Sequence, residues 1–217
     1  MWDFFFPRHC LACGRGQRTQ LGLCNGCLEQ VSWHGLAGCV RCGRIGCARS
    51  CVPSYHRYRR VLVLAGYQGS WRNLVLALKN GRDWPVAREV AVEMVSLAKG
   101  SGMIEPDLVL APPAATTGAW RRQLAKSLAS QVAKLLGVPL FEGLTRLPGR
   151  PAQVDLDSSR RLAGLTDYLL LRNEHLLYGK NIWLVDDVFT TGGTAAACSE
   201  KLLAAGAAGV WVLTASA

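Results

Sequence analysis

The chain has 217 residues, half of them hydrophobic, and a formal net charge of +10 at pH 7. That length suits one ordinary domain with a small appendage, and the apolar share supplies a sizeable core, which excludes a disordered chain. Nine arginines against Asp3 and Glu29 place +7 of the charge within residues 1–60, the pattern of a segment that meets a polyanion such as nucleic acid or, equally, of a basic solvated surface. No uninterrupted apolar run approaches the ~18 residues a membrane helix needs. The opening Trp2-Asp3-Phe4-Phe5-Phe6 is too short, and lacks the basic flank, for a secretory leader. A cytoplasmic location is therefore expected.

Eight of the nine cysteines stand at 10, 13, 24, 27, 39, 42, 47 and 51. Cys10-x-x-Cys13, ten residues, then Cys24-x-x-Cys27 is the spacing of a four-thiolate zinc site, each pair forming a knuckle that aims two sulfurs at one ion. The second quartet, Cys39, Cys42, Cys47 and Cys51, is more compact, and either closes its own zinc or interleaves with the first. Disulfides are the competing reading, disfavoured without a secretion signal. The knuckle Cys10-Leu-Ala-Cys13-Gly14-Arg15 recurs as Cys39-Val-Arg-Cys42-Gly43-Arg44. Gly14 and Gly43 allow the positive φ that turns N–H groups toward thiolates. Four thiolates saturate a tetrahedral ion, so one or two Zn2+ here would be structural. Trp2, Phe4, Phe5, Phe6 and Trp33 are expected to pack this module on itself or on the main domain. Cys198, alone among alanines, reads as a small buried hydrophobe.

Residues 1–55 thus read as a cysteine-rich zinc module and 56–217 as the main domain. Pro53 to Arg60 is polar and basic, a linker or hairpin edge, and Val61 to Tyr67 is a strand candidate. A short helix follows over Trp71 to Lys79, and Pro85 and Gly100 bracket an amphipathic helix with Val86, Val90, Met94 and Leu97 on one side. Asp107 to Ala111 is a strand that runs into Pro112 and Pro113, and a helix from about Ala119 to Leu136 ends at Gly137 as its C-cap. Val138 to Phe141 is a further strand candidate, and Leu147-Pro-Gly-Arg-Pro151 begins a long loop reaching about Leu165. Asn181 to Val188 and Val210 to Thr214 complete the sheet. Strands alternating with helices imply a mostly parallel α/β sheet flanked by helices, whose ligands bind off the carboxyl ends of the strands.

The most informative segment is Ile182-Trp-Leu-Val-Asp-Asp-Val-Phe-Thr-Thr-Gly-Gly-Thr194. An apolar buried strand ends in two carboxylates, Asp186 and Asp187, and a Thr/Gly loop then opens an Ala-rich helix near Thr194. Such a junction offers free N–H groups and the positive end of a helix dipole to a phosphate. The pattern resembles the 5-phosphoribosyl-1-pyrophosphate (PRPP) loop of type I phosphoribosyltransferases. In that resemblance Asp186 and Asp187 fix ribose hydroxyls and screen developing positive charge. Thr190, Thr191, Gly192, Gly193 and Thr194 cradle the 5′-phosphate, and Mg2+ bridges pyrophosphate and ribose oxygens. Lys79, Arg121, Arg122 and Arg161 are candidate pyrophosphate contacts. His9, His34, His56 and His175 sit in no motif for a catalytic base and read as surface or packing residues.

Over nearly its whole length the chain resembles the ComF family of competence-associated, phosphoribosyltransferase-like proteins. The resemblance runs from the Cys-x-x-Cys segment through Tyr67-Gln-Gly, Leu78-Lys79-Asn80-Gly81 and Leu144-Thr145-Arg146. It continues with Gln153, Leu156 and Arg161, the Asp186-Asp187 loop, and Gly206-Ala-Ala-Gly-Val210. It implies a type I phosphoribosyltransferase-like fold with an N-terminal zinc module, and a role in DNA uptake for natural transformation beside the competence machinery. Where the family shows Arg-Gly-Phe-Asn-Gln, this chain reads Trp120-Arg121-Arg122-Gln123, and an expected Asn is Gly164. Two functions stay open at this point: a phosphoribosyltransferase of unspecified acceptor, and a non-catalytic single-stranded DNA-binding protein that keeps a phosphoribosyl pocket. A housekeeping salvage enzyme is a third, weaker reading, for which the zinc module is superfluous.

Overall fold

Four nearly unbroken apolar runs pair side by side as the parallel core of a computed structural model, which describes residues 9–47, 51, 57–81, 84–113, 123–147 and 166–217. In chain order the described strands are β1 (Arg60–Ala65), β2 (Leu108–Leu110), β3 (Leu144–Arg146), β4 (Leu169–Leu171), β5 (Asn181–Val188) and β6 (Gly209–Ser216). The α-helices are α1 (Asn25–Leu28), α2 (Gly69–Lys79), α3 (Trp84–Gly100), α4 (Gln123–Leu136) and α5 (Gly193–Ala204). The sheet order is β1-β6-β5-β2 with every pair parallel, while β3 and β4 form a separate antiparallel pair. Every residue of β6 is buried, as expected for a strand covered on both faces.

The strand period of two divides the core. Trp183, Val185, Trp211 and Leu213 face one way and pack with α2, α3 and α4, whereas Ile182, Leu184, Val210 and Val212 face the other and pack with α5. Trp71 of α2 anchors the first face, its Nε1–H donating to the Ala215 carbonyl at 3.0 Å and to Ser216 Oγ at 2.8 Å. The second face meets α5 through Ala195, Ala197 and Cys198, small residues that let the helix approach closely. Cys198 is fully buried there, as its setting among alanines suggests. Because β5 continues through α5 to β6 while β2 continues through α4 in the opposite direction, the order reverses between β5 and β2, at the carboxyl end of β5.

Some elements differ from the sequence reading. Val138 to Phe141 makes one parallel bridge, Leu140 to Val109, rather than a strand. Pro139 has no N–H and serves only as an acceptor for the Val109 N–H at 3.1 Å. Gly137 does close α4, with φ 69°. Gly100 ends α3 from within, whereas α5 starts at Gly193, as expected near Thr194. The basic linker is partly structural, because Tyr58 is buried and Arg60 opens β1. Trp2 and Phe4 to Phe6 lie outside the described residues, as do Arg121, Arg122, Gln153, Leu156, Arg161, Gly164 and His56.

The cysteine segment shares the main core. Cys10, Leu21, Leu23, Cys27 and Val31 belong to the same apolar cluster as α2, α3 and the sheet. Leu21 N–H donates to Glu89 Oε2 of α3 at 2.6 Å. Along the outer edge of β1 the segment supplies main-chain partners: Val61 N–H to the Val40 carbonyl at 2.9 Å, His34 N–H to Leu64 at 3.0 Å, and Gly66 N–H to Ser32 at 2.8 Å. An edge strand that would otherwise expose a row of unpaired donors and acceptors is thereby covered. Trp33 sits at this seam, its ring 5.3 Å edge-on from Trp71.

Candidate functional site

Two sets of four thiols converge. The sulfurs of Cys10, Cys13, Cys24 and Cys27 lie within 4.8 Å of one another, and so do those of Cys39, Cys42, Cys47 and Cys51. Each quartet closes on itself, without interleaving, and all nine cysteines are free thiols rather than disulfides. A tetrahedral zinc with Zn–S bonds of about 2.3 Å requires sulfurs about 3.8 Å apart. Cys13 and Cys24 stand at 3.9 Å and Cys39 and Cys51 at 3.8 Å, so the donor sets fit structural zinc. The knuckles repeat as the sequence echo predicts, with Gly14 at φ 69° donating to Cys10 O at 2.9 Å and Gly43 at φ 71° donating to Cys39 O at 2.7 Å.

The electrostatics of these quartets ask for a cation. Burial pushes Cys10 up, but the surrounding N–H groups of Cys13, Cys24 and Ala12 outweigh it and hold the thiol at about 6. Burial and then the neighbouring sulfurs push Cys27 and Cys42 up to about 12. Four thiolates therefore coexist only when a metal ion neutralises them.

The second centre forms at the carboxyl end of β5. Asp187 N–H donates to Asp186 Oδ1 at 2.8 Å, and Lys79 Nζ, from the last residue of α2, sits 3.0 Å from Asp187 Oδ1. Burial first, and then the Asp187 charge, lift the Asp186 carboxyl from 3.8 to about 7, while Lys79 acts in the opposite sense. Asp186 is thus poised near neutrality, and both carboxylates can accept hydroxyl hydrogens when ionised.

The loop beyond turns sharply. Gly192 caps α5 at φ 78°, and its carbonyl accepts the Ala196 N–H at 2.8 Å. A Cβ on Gly192 would lie 2.7 Å from Phe189 Cζ and 3.3 Å from the Tyr58 hydroxyl, so only glycine permits this turn. The first-turn N–H groups of α5 have no partner four residues earlier in the helix and point off its N-terminus. Thr190 and Thr191 are exposed beside them. The arrangement suits an anion over the loop and a polyol over the carboxylates.

The loop also meets residues from distant parts of the chain. A cavity of about 300 Å³ is walled by Thr190, Thr191, Phe189 and Val188 together with Tyr67, Ala217 and Arg44 of the second cysteine quartet. Beneath the loop, burial and then the Asp186 charge push the Cys198 thiol up to about 12. The Arg146 charge of β3 acts on the same thiol in the opposite sense. Lys79, expected at pyrophosphate, is held instead by Asp187 in this state. His34 fulfils its packing role, its Nδ1 3.1 Å from the Gly43 carbonyl.

Residues 1–55 match the family model of the double zinc ribbon domain. The chain is 29% identical to the DNA utilization protein YhgH of Escherichia coli strain K12 and to that of Shigella flexneri, covering 94% of this chain and 87% of each relative. It is 28% identical to the same-named protein of Salmonella typhimurium over the same shares. Among solved structures it is similar to the allosteric regulatory enzyme of purine biosynthesis, with a TM-score of 0.41, 25% identity, and coverage of 59% of this chain and 25% of that one. The glutamine PRPP amidotransferase from B. subtilis gives a TM-score of 0.40, 24% identity, and coverage of 58% and 25%. The chain spans about a quarter of the length of these two structures. Among the described residues no helix is long and apolar enough to cross a membrane. The chain is therefore a mostly parallel α/β sheet flanked by helices, with an N-terminal segment that matches a double zinc ribbon and two thiolate sites suited to structural zinc.

Proposed function

We propose that the chain binds PRPP with Mg2+ at the carboxyl end of β5 and serves DNA uptake in the manner of the ComF family. The observation that carries this reading is the junction itself. Paired carboxylates, a glycine-capped loop and a fresh helix N-terminus lie in continuous sequence at the point where strand order reverses. The relatives' printed name, DNA utilization protein, supports the biological half of the reading.

Each group has a role in that proposal. The N–H groups and hydroxyls of Thr190, Thr191, Gly192, Gly193 and Thr194 hold the 5′-phosphate. Asp187 and, once ionised, Asp186 accept the ribose hydroxyls and screen positive charge that develops at C1 as pyrophosphate departs. Lys79 leaves Asp187 for pyrophosphate when the ligand enters, and Arg121, Arg122 and Arg161 are its proposed companions. Mg2+, when bound, supplies a template and Lewis acid for the pyrophosphate oxygens. Titration calorimetry of PRPP with Mg2+ into wild type and Asp187→Asn tests the reading. Mg2+-dependent binding by wild type that the substitution abolishes supports it, and no binding by wild type overturns it.

The +7 charge of residues 1–60 favours a second reading, a non-catalytic protein that uses the zinc ribbons to engage single-stranded DNA while the pocket regulates it. In that case DNA affinity falls steeply with salt, and bound PRPP is not consumed by any acceptor.

A further inference from the structure

The second zinc ribbon reaches the phosphate loop. Its knuckle is fixed on the sheet at three points: the Val61–Val40 main-chain bond, the His34 ring on the Gly43 carbonyl, and Gly43 itself, where an added Cβ would overlap the Val63 side chain. From that knuckle the Arg41 carbonyl accepts the Tyr58 hydroxyl at 2.7 Å. The Tyr58 ring stands edge-on to Phe189 with centroids 6.2 Å apart. Phe189 and the Tyr58 hydroxyl close over Gly192, the cap of the phosphate loop. Arg44, two residues past Cys42, lines the cavity that Thr190 and Thr191 wall on its other side. The first ribbon bonds instead to α3, through Leu21 N–H on Glu89.

We infer that the second zinc ribbon is a metal-dependent buttress of the phosphate loop, with Tyr58 as the positioning residue that transmits zinc occupancy at Cys39, Cys42, Cys47 and Cys51 to the 5′-phosphate grip. The inference rests on the phosphoribosyl reading of the loop. Without zinc the quartet loses the cation that holds its crowded thiolates together, and the Arg41 carbonyl loses its fixed place. Tyr58 then no longer holds Phe189 against Gly192. Phosphoribosyl binding thereby becomes sensitive to zinc supply and to thiol oxidation at a site that does not itself touch the ligand.

The test compares ribose 5-phosphate, PRPP with Mg2+, and pyrophosphate with Mg2+ as calorimetric probes, with zinc content measured on each protein. Tyr58→Phe keeps the ring and deletes one hydrogen bond. It is expected to keep two zinc ions and to weaken ribose 5-phosphate about fivefold, leaving pyrophosphate alone unchanged. Cys51→Ser is expected to lose one zinc and to weaken ribose 5-phosphate about tenfold or more. Glu89→Ala, which removes the bond from the first ribbon to α3, leaves all three affinities unchanged. Wild-type affinity for ribose 5-phosphate in both Tyr58→Phe and Cys51→Ser overturns the buttress while the function proposed above stands. A wild type that binds neither phosphoribosyl probe overturns both.

Discussion

Replacing Asp186 by Asn isolates the electrostatic strain at the carboxyl end of β5. The folded chain lifts this carboxyl from 3.8 to about 7, chiefly by burial and then by the Asp187 charge. Between those values the folded state keeps a proton that the unfolded state has released, so unfolding loses protons and stability declines as pH rises. The sign is opposite to that of an ordinary salt-bridged aspartate: the contribution is fully present below 3.8 and gone above about 7. Each pH step of one costs about 1.4 kcal/mol, giving up to about 4 kcal/mol over the full range. Between about pH 5.5 and about pH 8, the expected loss is about 2 kcal/mol relative to Asp186→Asn. Urea denaturation of both proteins across that window, compared as a difference at each pH, removes the groups that the substitution leaves unperturbed. Parallel curves, or a wild type that gains on the Asn variant as pH rises, would refute the account of this pair.

Three further outcomes follow from the same geometry. Gly192→Ala combines positive φ with a close approach to Phe189; it should cost about 2 kcal/mol in denaturant unfolding and abolish ribose 5-phosphate binding. Lys79→Ala removes the charge that holds Asp186 down. An NMR titration should place the Asp186 carboxyl above its wild-type value, and PRPP affinity should fall while ribose 5-phosphate affinity does not. Atomic absorption on purified protein should find two zinc ions per chain, one for each quartet, and removing them with a strong chelator should collapse the near-UV circular dichroism.

What the sequence makes legible is what it carries in continuous stretches. The run from Ile182 to Thr194 contains strand, carboxylates, loop and helix start in chain order, so its geometry follows from local rules. The first cysteine quartet is equally local in its spacing, whereas the compact second one left interleaving open until the thiol positions showed each set closing on itself. Contacts between distant segments are different. The ion pair of Lys79 with Asp187, the Tyr58 hydroxyl on Arg41 and the ribbon's cover of β1 each join segments with no periodic signal in common. Tyr58 sat in a stretch that read as a polar linker, because its arginine neighbours mask one buried ring. The three-residue strands β3 and β4 are too short to show alternation, and Leu144-Thr145-Arg146 was visible only as a family motif.

The central claim concerns where a phosphoribosyl group lies, and a crystal structure of the chain grown with PRPP and Mg2+ measures that directly. The account predicts the 5′-phosphate on the N–H groups of the loop from Thr190 to Thr194, with ribose hydroxyls on Asp186 and Asp187 and Lys79 swung from Asp187 to pyrophosphate. Density for PRPP anywhere else, or an unliganded loop at saturating PRPP with the Lys79–Asp187 pair intact, would contradict it.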